Sequence, residues 1–359
     1  MKNRIRLPRD ATAKVPPSHV PDGFFIVTRG RPGKRVRRLN AEVDIPVPRT
    51  NRVVKLLATR QPGADEQSMA FAMIAYASQP QLQHGQAVHR ITTGKTKKPE
   101  MQAIIATIQP ELFDRSAPVA TAVSSFDGSC LIGCATITDL ALAAGMTDSA
   151  ADLRRVRDAI LNLYGITETE FDGEDVVRQP QHLIGFDRIE VEGKRGTRRR
   201  PITFGINPRL TDTVLGDGTG HTGNYVRIHL AERNQLSRQA AKLLHASLCR
   251  DVWPNRPLEA KELESLFSRI YGSDQAQDVT PEAMHAAKLK KDRDRIAEMR
   301  RTMRDTVCAA LEEIGGLPGW VVTLTRVNRG RYLVRVARTK DQSPAAGPDL
   351  ADATPQVEE

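Results

Sequence analysis

The sequence predicts an α+β chain, mainly helical, in which one structural unit is used twice. Three observations predict it. Capped segments with apolar residues at helical spacing alternate with short segments in which apolar and polar residues alternate. Each half ends in a pair of strands joined by a basic turn. The same order of elements stands on both sides of GDGTGHTGN, Gly216 to Asn224, which has the composition of a linker.

In the first half, RVVKLLA (Arg52 to Ala58) reads as a strand and ADEQSMAFAMIAYAS (Ala64 to Ser78) as a helix. After a turn-rich stretch, TITDLALAAG offers Thr136 as N-cap, Asp139 three residues on, apolar Ile137, Leu140 and Ala144, and Gly145 as terminator. Ser149 and Asp152 repeat the capping pattern and open a longer helix, with Leu153, Val156, Ile160, Leu163 and Tyr164 on one face. LIGFDRIEVE and PITFGIN follow as strands around the loop GKRGTRRR.

The second half repeats the order. YVRIHL, Tyr225 to Leu230, is a strand, and Ser237 is placed to cap a helix containing AKLLHASLC. LEAKELESLFSRIYG reads as a helix with Leu263, Leu266, Phe267 and Ile270 on one side, ending at Gly272. A later helix through RRTMRDTVCAALEEIGG aligns Met303, Val307, Leu311 and Ile314. WVVTLTRV and RYLVRVART then flank the hairpin turn Asn328, Arg329, Gly330. Short helix, turn, longer helix and basic hairpin make the winged form of the helix-turn-helix. The expectation is two tandem winged-helix domains, residues 46–215 and 225–340, joined by the linker at 216–224. A basic flexible arm, 1–45, precedes them, and an acidic disordered tail, 341–359, follows.

Composition narrows the partner. The 359 residues carry a net charge of +10, and 40% are hydrophobic, enough for ordinary cores. Residues 1–40 hold eleven Lys and Arg against two Asp, whereas the last nineteen hold five acids and no base. Such a basic balance favours a polyanion. Only 4% of residues are aromatic, which argues against single-strand binding by stacking and moves duplex DNA ahead. No window approaches a membrane span, no secretory signal opens the chain, and four scattered cysteines make no disulfide framework, so a cytoplasmic protein without a membrane partner is expected.

Helical geometry, about 100° per residue, then selects the candidate DNA contacts. On the first long helix it exposes Arg154, Arg155 and Asp158, with Arg157 at the border; on the second, Arg301, Thr302 and Asp305, with Arg304 on the flank. Arginine suits the role because its guanidinium spans guanine O6 and N7, while neighbouring cations bond phosphates. Lys194, Arg195, Arg198, Arg199 and Arg200 crowd one glycine-flanked loop, a first wing, and Arg326, Arg329 and Arg331 repeat the feature more weakly. The competing reading of each is a solvated charged face.

Catalysis finds no support. GDGTGHTG is glycine-rich, but no GxxxxGK[ST] occurs. Cys130 and Cys134 lack a second Cys or His pair at zinc spacing, His245 reads as a packed histidine, and no HxH stands near a tyrosine as a nicking enzyme needs. No enzyme, cofactor or metal is expected.

The stretch INPRLTDTVLGDGTGHTGNYVRIHLAERNQLSRQAAKLLHASLCRDVW resembles the middle of plasmid replication initiators of the RepC type, from broad-host-range IncQ plasmids. The resemblance continues through ELESLFSRIYGSD and MRRTMRDTVCAALEEIGGLPGWVV, and reaches back to ATITDLALAAGM and AADLRRVRDAILNLYGI. It implies sequence-specific binding of repeated origin sites, called iterons, melting of an adjacent AT-rich region, and loading of a separate helicase. It also implies that the second domain's recognition helix makes most specific contacts, which here places them on Arg300, Arg301, Arg304 and Asp305. The sequence departs from that family at residues 273–298, which lengthen the segment before this helix; Thr280 and Pro281 start a helix there that is placed to run on into it. A transcriptional repressor of the same fold is the alternative, and an RNA-binding or scaffold protein working through its basic arm a third. Whether the chain pairs as a homodimer is left open.

Overall fold

The computed structural model describes residues 7, 11–28, 39–47, 50–78, 91–92, 129–186, 201–215, 225–253, 257–287, 289–328 and 331–339. Helix and strand are mixed throughout these residues, with more strand than a mainly helical chain implies. The first half contains β2 (Leu39–Pro46), β3 (Arg52–Arg60), α1 (Ala64–Ser78), β4 (Ile91–Thr92), β5 (Ser129–Thr136), α2 (Ile137–Ala143) and α3 (Ala150–Tyr164). It continues with β6 (Ile166–Asp172), β7 (Asp175–His182), β8 (Ile184–Phe186), β9 (Pro201–Ile206) and α4 (Pro208–Leu215). Two antiparallel sheets result, ordered β2-β3-β6-β7 and β4-β5-β9-β8.

The second half contains β10 (Val226–His229), α5 (Leu230–Asn234), α6 (Gln239–Asp251), β11 (Leu258–Glu262), a 3₁₀ turn at Leu263–Leu266 and α7 (Phe267–Tyr271). Then come α8 (Ser273–Gln277), α9 (Pro281–Ala286), α10 (Lys290–Gly315), β12 (Trp320–Asn328) and β13 (Arg331–Arg338). Its antiparallel sheet is ordered β11-β13-β12.

The repeated plan is visible in how these sheets are wired. A strand, β5 or β11, leads into a short helical element and then the long helix, α3 or α10. Two further strands return, and in both sheets the last strand lies between the first and the middle one. The first copy differs by an extra hairpin, β6–β7, inserted directly after α3.

Local chemistry explains the helix ends. Thr136 accepts a hydrogen bond from the Asp139 amide at 3.1 Å, and Ser149 from the Asp152 amide at 3.2 Å, satisfying donors that the first turn leaves open. Gly145, at φ +71°, follows the C-cap of α2 in the left-handed region that glycine tolerates best. Helix α1 is buried from Ala64 to Ala77 except at Asp65, because α3, α6, β1 and β5 surround it. Its apolar residues are accordingly distributed all round the helix rather than in one stripe.

Several expectations are corrected. Residues 11–27 are no solvated arm: β1 (Thr12–Val15) pairs with β10, Lys14 opposite Arg227, and Ala13, Val15, Val20, Phe24 and Phe25 are buried. Prolines 16, 17 and 21 border a 3₁₀ turn and the loop after it, which disguised a short strand and an apolar cluster as a linker-like stretch. Residues 39–46 are strand β2. Leu258–Glu262 pairs as β11 instead of extending a helix, and Tyr164 is exposed, stacked on His182 at 4.1 Å. Ser237 donates to Glu313 and leaves the N-cap of α6 to Arg238. Thr280 does cap α9, but that helix ends at Ala286, and α10 starts afresh at Lys290. The linker at 216–224, the tail at 341–359 and the loop 191–200 lie outside the described residues.

One hydrophobic cluster runs from Ala11 to Val336 and includes both halves. The short helix α5 is the polar joint inside it. Fully buried Arg233 donates to Gln67 Oε1 at 2.9 Å and Ser68 Oγ at 3.2 Å in α1, caps the Lys242 carbonyl, and lies over the Phe71 ring. Burial pushes its guanidinium down to about 9. Asn234 donates to the Ala143 carbonyl at 3.0 Å, while Glu232 accepts from Arg338 at 3.0 Å and from the Trp320 indole. Three consecutive residues therefore bind the first half and the base of the second half's hairpin.

Candidate nucleic-acid interface

Helix α10 is held by its inner face, where Met303, Val307, Ala310, Leu311 and Ile314 are buried. Its other side carries Arg301, 72% exposed, with Asp305 at 4.0 Å, too far and too solvated to neutralise it firmly. Arg300 and Arg304 turn instead toward Glu264 in the 3₁₀ turn. Arg300 grips both carboxylate oxygens, Nε to Oε1 at 3.0 Å and Nη2 to Oε2 at 2.5 Å, in the fork geometry that suits guanidinium. Arg304 adds one bond, Nη2 to Oε1 at 3.1 Å, and its Nε is buried with no hydrogen-bond partner among the described residues. Burial alone raises the Glu264 carboxyl, but the bonds from both arginines outweigh it and hold the group below its ordinary range. Two guanidiniums share one carboxylate.

The first long helix has the opposite balance. Arg155 binds Asp65 through Nε at 3.1 Å and Nη2 at 2.8 Å, and Asp152 through Nη1 at 2.5 Å. The Asp152 carboxyl is pulled down to about 2, chiefly by the Thr147 hydroxyl and amide. Arg154 and Asp158 are exposed, and Arg157 is half-buried at the helix border. The sequence-selected arginines are thus brought onto the outer sides of the two long helices, but Arg155 is tied down.

The hairpins differ as well. In β12–β13, Arg326 is exposed and Arg331 pairs with Glu262, at the edge of a small cleft also lined by Glu264, Arg304 and Tyr332. Arg329 lies outside the described residues, as do Lys194, Arg195, Arg198, Arg199 and Arg200, although β8 and β9, which their segment joins, pair with Phe186 opposite Phe204. The hairpin missed in the sequence, β6–β7, is acidic at its tip, with Asp172, Glu174 and Asp175 exposed. Below that tip, buried Glu168 accepts from His19 and Asn207, both at 2.8 Å.

Comparison with known proteins now decides the family. The model for replication protein C, RepC, matches residues 119–314, more than half of the chain and the span that includes both long helices. The chain belongs to the RepC family. It is a plasmid replication protein of the RepC type. No curated protein sequence matches it. Two solved structures of RctB are similar in outline: one of domains 2 and 3 has TM-score 0.44 at 10% identity, covering 88% of this chain and 95% of that one. Another of RctB domains 2–3 has TM-score 0.45 at 10% identity, covering 90% and 97%.

Glu264, Glu262 and Asp65 escaped the sequence reading, which counted cations on each helix without asking which acids the fold brings beside them. The signal for Glu264 was present: ELESLF places two acids just ahead of the short helical element in a basic half. Arg233 gave no signal, since a cation in LAERN reads as solvated. Among the described residues no cluster of His, Cys, Asp or Glu could hold a metal ion, and no helix is long and apolar enough to cross a membrane.

Proposed function

We propose that this RepC-family protein is a replication initiator that binds iteron DNA sequence-specifically and opens the neighbouring AT-rich duplex. In this reading the two repeats are winged-helix domains, residues 46–215 and 225–340. Helices α3 and α10 enter successive major grooves, and the segment 193–200 and the β12–β13 hairpin follow phosphates. The observation that carries it is the outer face of α10, where Arg301 stands exposed and Arg300 and Arg304 share one carboxylate directly ahead of a hairpin. Such a face attracts a polyanion, and arginine at these positions reads guanine.

Opening needs no nucleotide hydrolysis. Several bound copies bend the DNA, and the bending cost, about 1–6 kcal/mol for a site of 20–30 base pairs, is offset by added contacts. A separate helicase then loads on the melted strand. Permanganate reactivity of thymines on a supercoiled plasmid carrying the DNA beside the gene tests this. Reactive thymines next to a bound repeat array, without ATP, are expected. Tight binding to the array with no reactive thymine at any protein concentration moves the reading to a repressor, and an ATP requirement to an enzyme.

A further inference from the structure

We infer that Glu264 sets the sequence discrimination of the second half, by holding Arg304 on a single bond that only well-fitted DNA displaces with profit in hydrogen bonds. The inference rests on the reading of α10 as a DNA-reading helix and goes beyond it, because it assigns a role to a residue of the same charge as DNA.

The geometry separates the two arginines on this carboxylate. Arg300 is locked: its fork meets both oxygens, at 3.0 and 2.5 Å. Arg304 is on loan, since its one bond, 3.1 Å, goes to the oxygen that already accepts from Arg300, and its Nε is buried without a partner among the described residues. Its side chain also lines the open cleft between α10 and the hairpin base, beside Arg331 and Tyr332. The neighbouring Arg331 is likewise engaged, by Glu262.

Consider what DNA must do to recruit Arg304. A phosphate met at random exchanges one ionic hydrogen bond for another and gains almost nothing. A base edge or phosphate placed to meet two donors exchanges one bond for two, and gives the buried donor a chance of a partner as the side chain swings out. The carboxylate therefore subtracts from every encounter, and subtracts most from poorly fitted ones. Specificity is a difference of affinities, and a built-in competitor widens it. Helix α3 has no equivalent, because Asp65 and Asp152 together occupy three donors of Arg155.

The test uses the full chain, the repeat-bearing duplex from beside its gene and a scrambled duplex of equal length, with affinities measured across salt. Glu264→Gln keeps the shape and removes the charge. Freeing one cation for phosphate is expected to raise affinity for scrambled DNA about eightfold at 0.1 M salt and to steepen the slope of log K against log salt by about 0.9. Affinity for the repeat rises less, so the ratio of the two falls about fivefold. In an Arg304→Ala background the same change is expected to leave the slope alone, a result that a merely structural role for Glu264 does not predict. An unchanged slope and ratio in Glu264→Gln overturns the inference, as does a slope that still steepens without Arg304. If the Gln variant melts, Glu264→Asp serves instead: its shorter reach weakens the Arg304 bond, so the ratio falls about threefold, and an unchanged ratio is again fatal. A wild-type protein that does not prefer the repeat brings down the functional reading itself, which is a different failure.

Discussion

The two long helices are built on one plan and charged on opposite principles. Around α3, one arginine, Arg155, is shared by two carboxylates; around α10, two arginines share one. The hairpin that follows α3 ends in exposed acids, whereas the one that follows α10 carries exposed Arg326 and Arg331. Duplication of a fold thus fixes where a helix stands but not what it can bind. That is decided by which neighbours neutralise it, and neutralised arginines hold structure while underneutralised ones recruit anions.

The strongest way to break this comparison is to cut the joint that keeps the halves in register. Arg233→Ala removes a fully buried side chain and strands Gln67, Ser68 and the Lys242 carbonyl. Loss of about 3–4 kcal/mol is expected, from cavity and unmade hydrogen bonds together. Because the partners of Arg233 lie on α1 and α6, denaturant unfolding followed by probes in each half is expected to shift in both. A shift confined to the second half means the halves are stable separately.

Next in size is the contrast between the arginines themselves. Arg301→Ala and Arg304→Ala are each expected to cost about 1–3 kcal/mol of specific binding, with little change in melting temperature. Arg155→Ala is expected to do the reverse, leaving Asp65 and Asp152 facing each other across an empty site and lowering stability by about 1–3 kcal/mol while affinity moves less than threefold. Equal losses of affinity from Arg155 and Arg304 would falsify the comparison.

How much of this could be read from residues alone follows the range of the interactions. Caps at Thr136 and Ser149, the apolar stripe Met303, Val307, Leu311 and Ile314, and the β12–β13 turn are set within a few residues, and the structure reproduces each. β1 and β6–β7 escaped because their meaning is remote: Val15 reads as strand only beside Val226, and buried Glu168 and Glu170 break the apolar alternation while being satisfied by His19, Asn207 and Arg209. The site was half legible for the same reason. Exposure of Arg301 follows from helical periodicity, whereas the engagement of Arg300, Arg304 and Arg155 depends on acids 36, 40 and 90 residues away.

A smaller effect sharpens the contrast between the two hairpins of the first half. If the segment 193–200 follows phosphates, replacing Arg198, Arg199 or Arg200 singly with Ala is expected to flatten the salt slope by about 0.9 each, for specific and scrambled duplexes alike. Neutralising Asp172, Glu174 and Asp175 together is expected to change affinity less than twofold, because that acidic tip points away from DNA in this reading. A slope unmoved by the arginines makes their loop a solvated turn. A large gain on neutralising the tip means that β6–β7 approaches the duplex.

The smallest predicted difference concerns how each half starts a helix. Helix α3 is capped locally, by Ser149, and Ser149→Ala is expected to cost about 1 kcal/mol. Helix α6 is capped from a distance: Glu313, near the end of α10, accepts from the Ser237 amide and hydroxyl, both at 2.6 Å, and from the Arg238 amide at 3.2 Å. Ser237→Ala removes only one of those three bonds and is expected to cost a few tenths of a kcal/mol, whereas Glu313→Ala removes all three and is expected to cost about 1 kcal/mol. The pH dependence separates the two kinds of cap. Burial raises the Glu313 carboxyl, but the bonds from Ser237 and Arg238 outweigh it and hold the group below its ordinary range. Its contribution is therefore complete above the unfolded value, about 4.3, and is lost as pH falls through the lower folded one. Denaturation midpoints of wild type and Glu313→Ala are expected to converge below about pH 4, while any convergence for Ser149→Ala would have to come from other groups, since a hydroxyl does not titrate there. Parallel curves for Glu313→Ala down to pH 3 would mean that the carboxylate is not what caps α6.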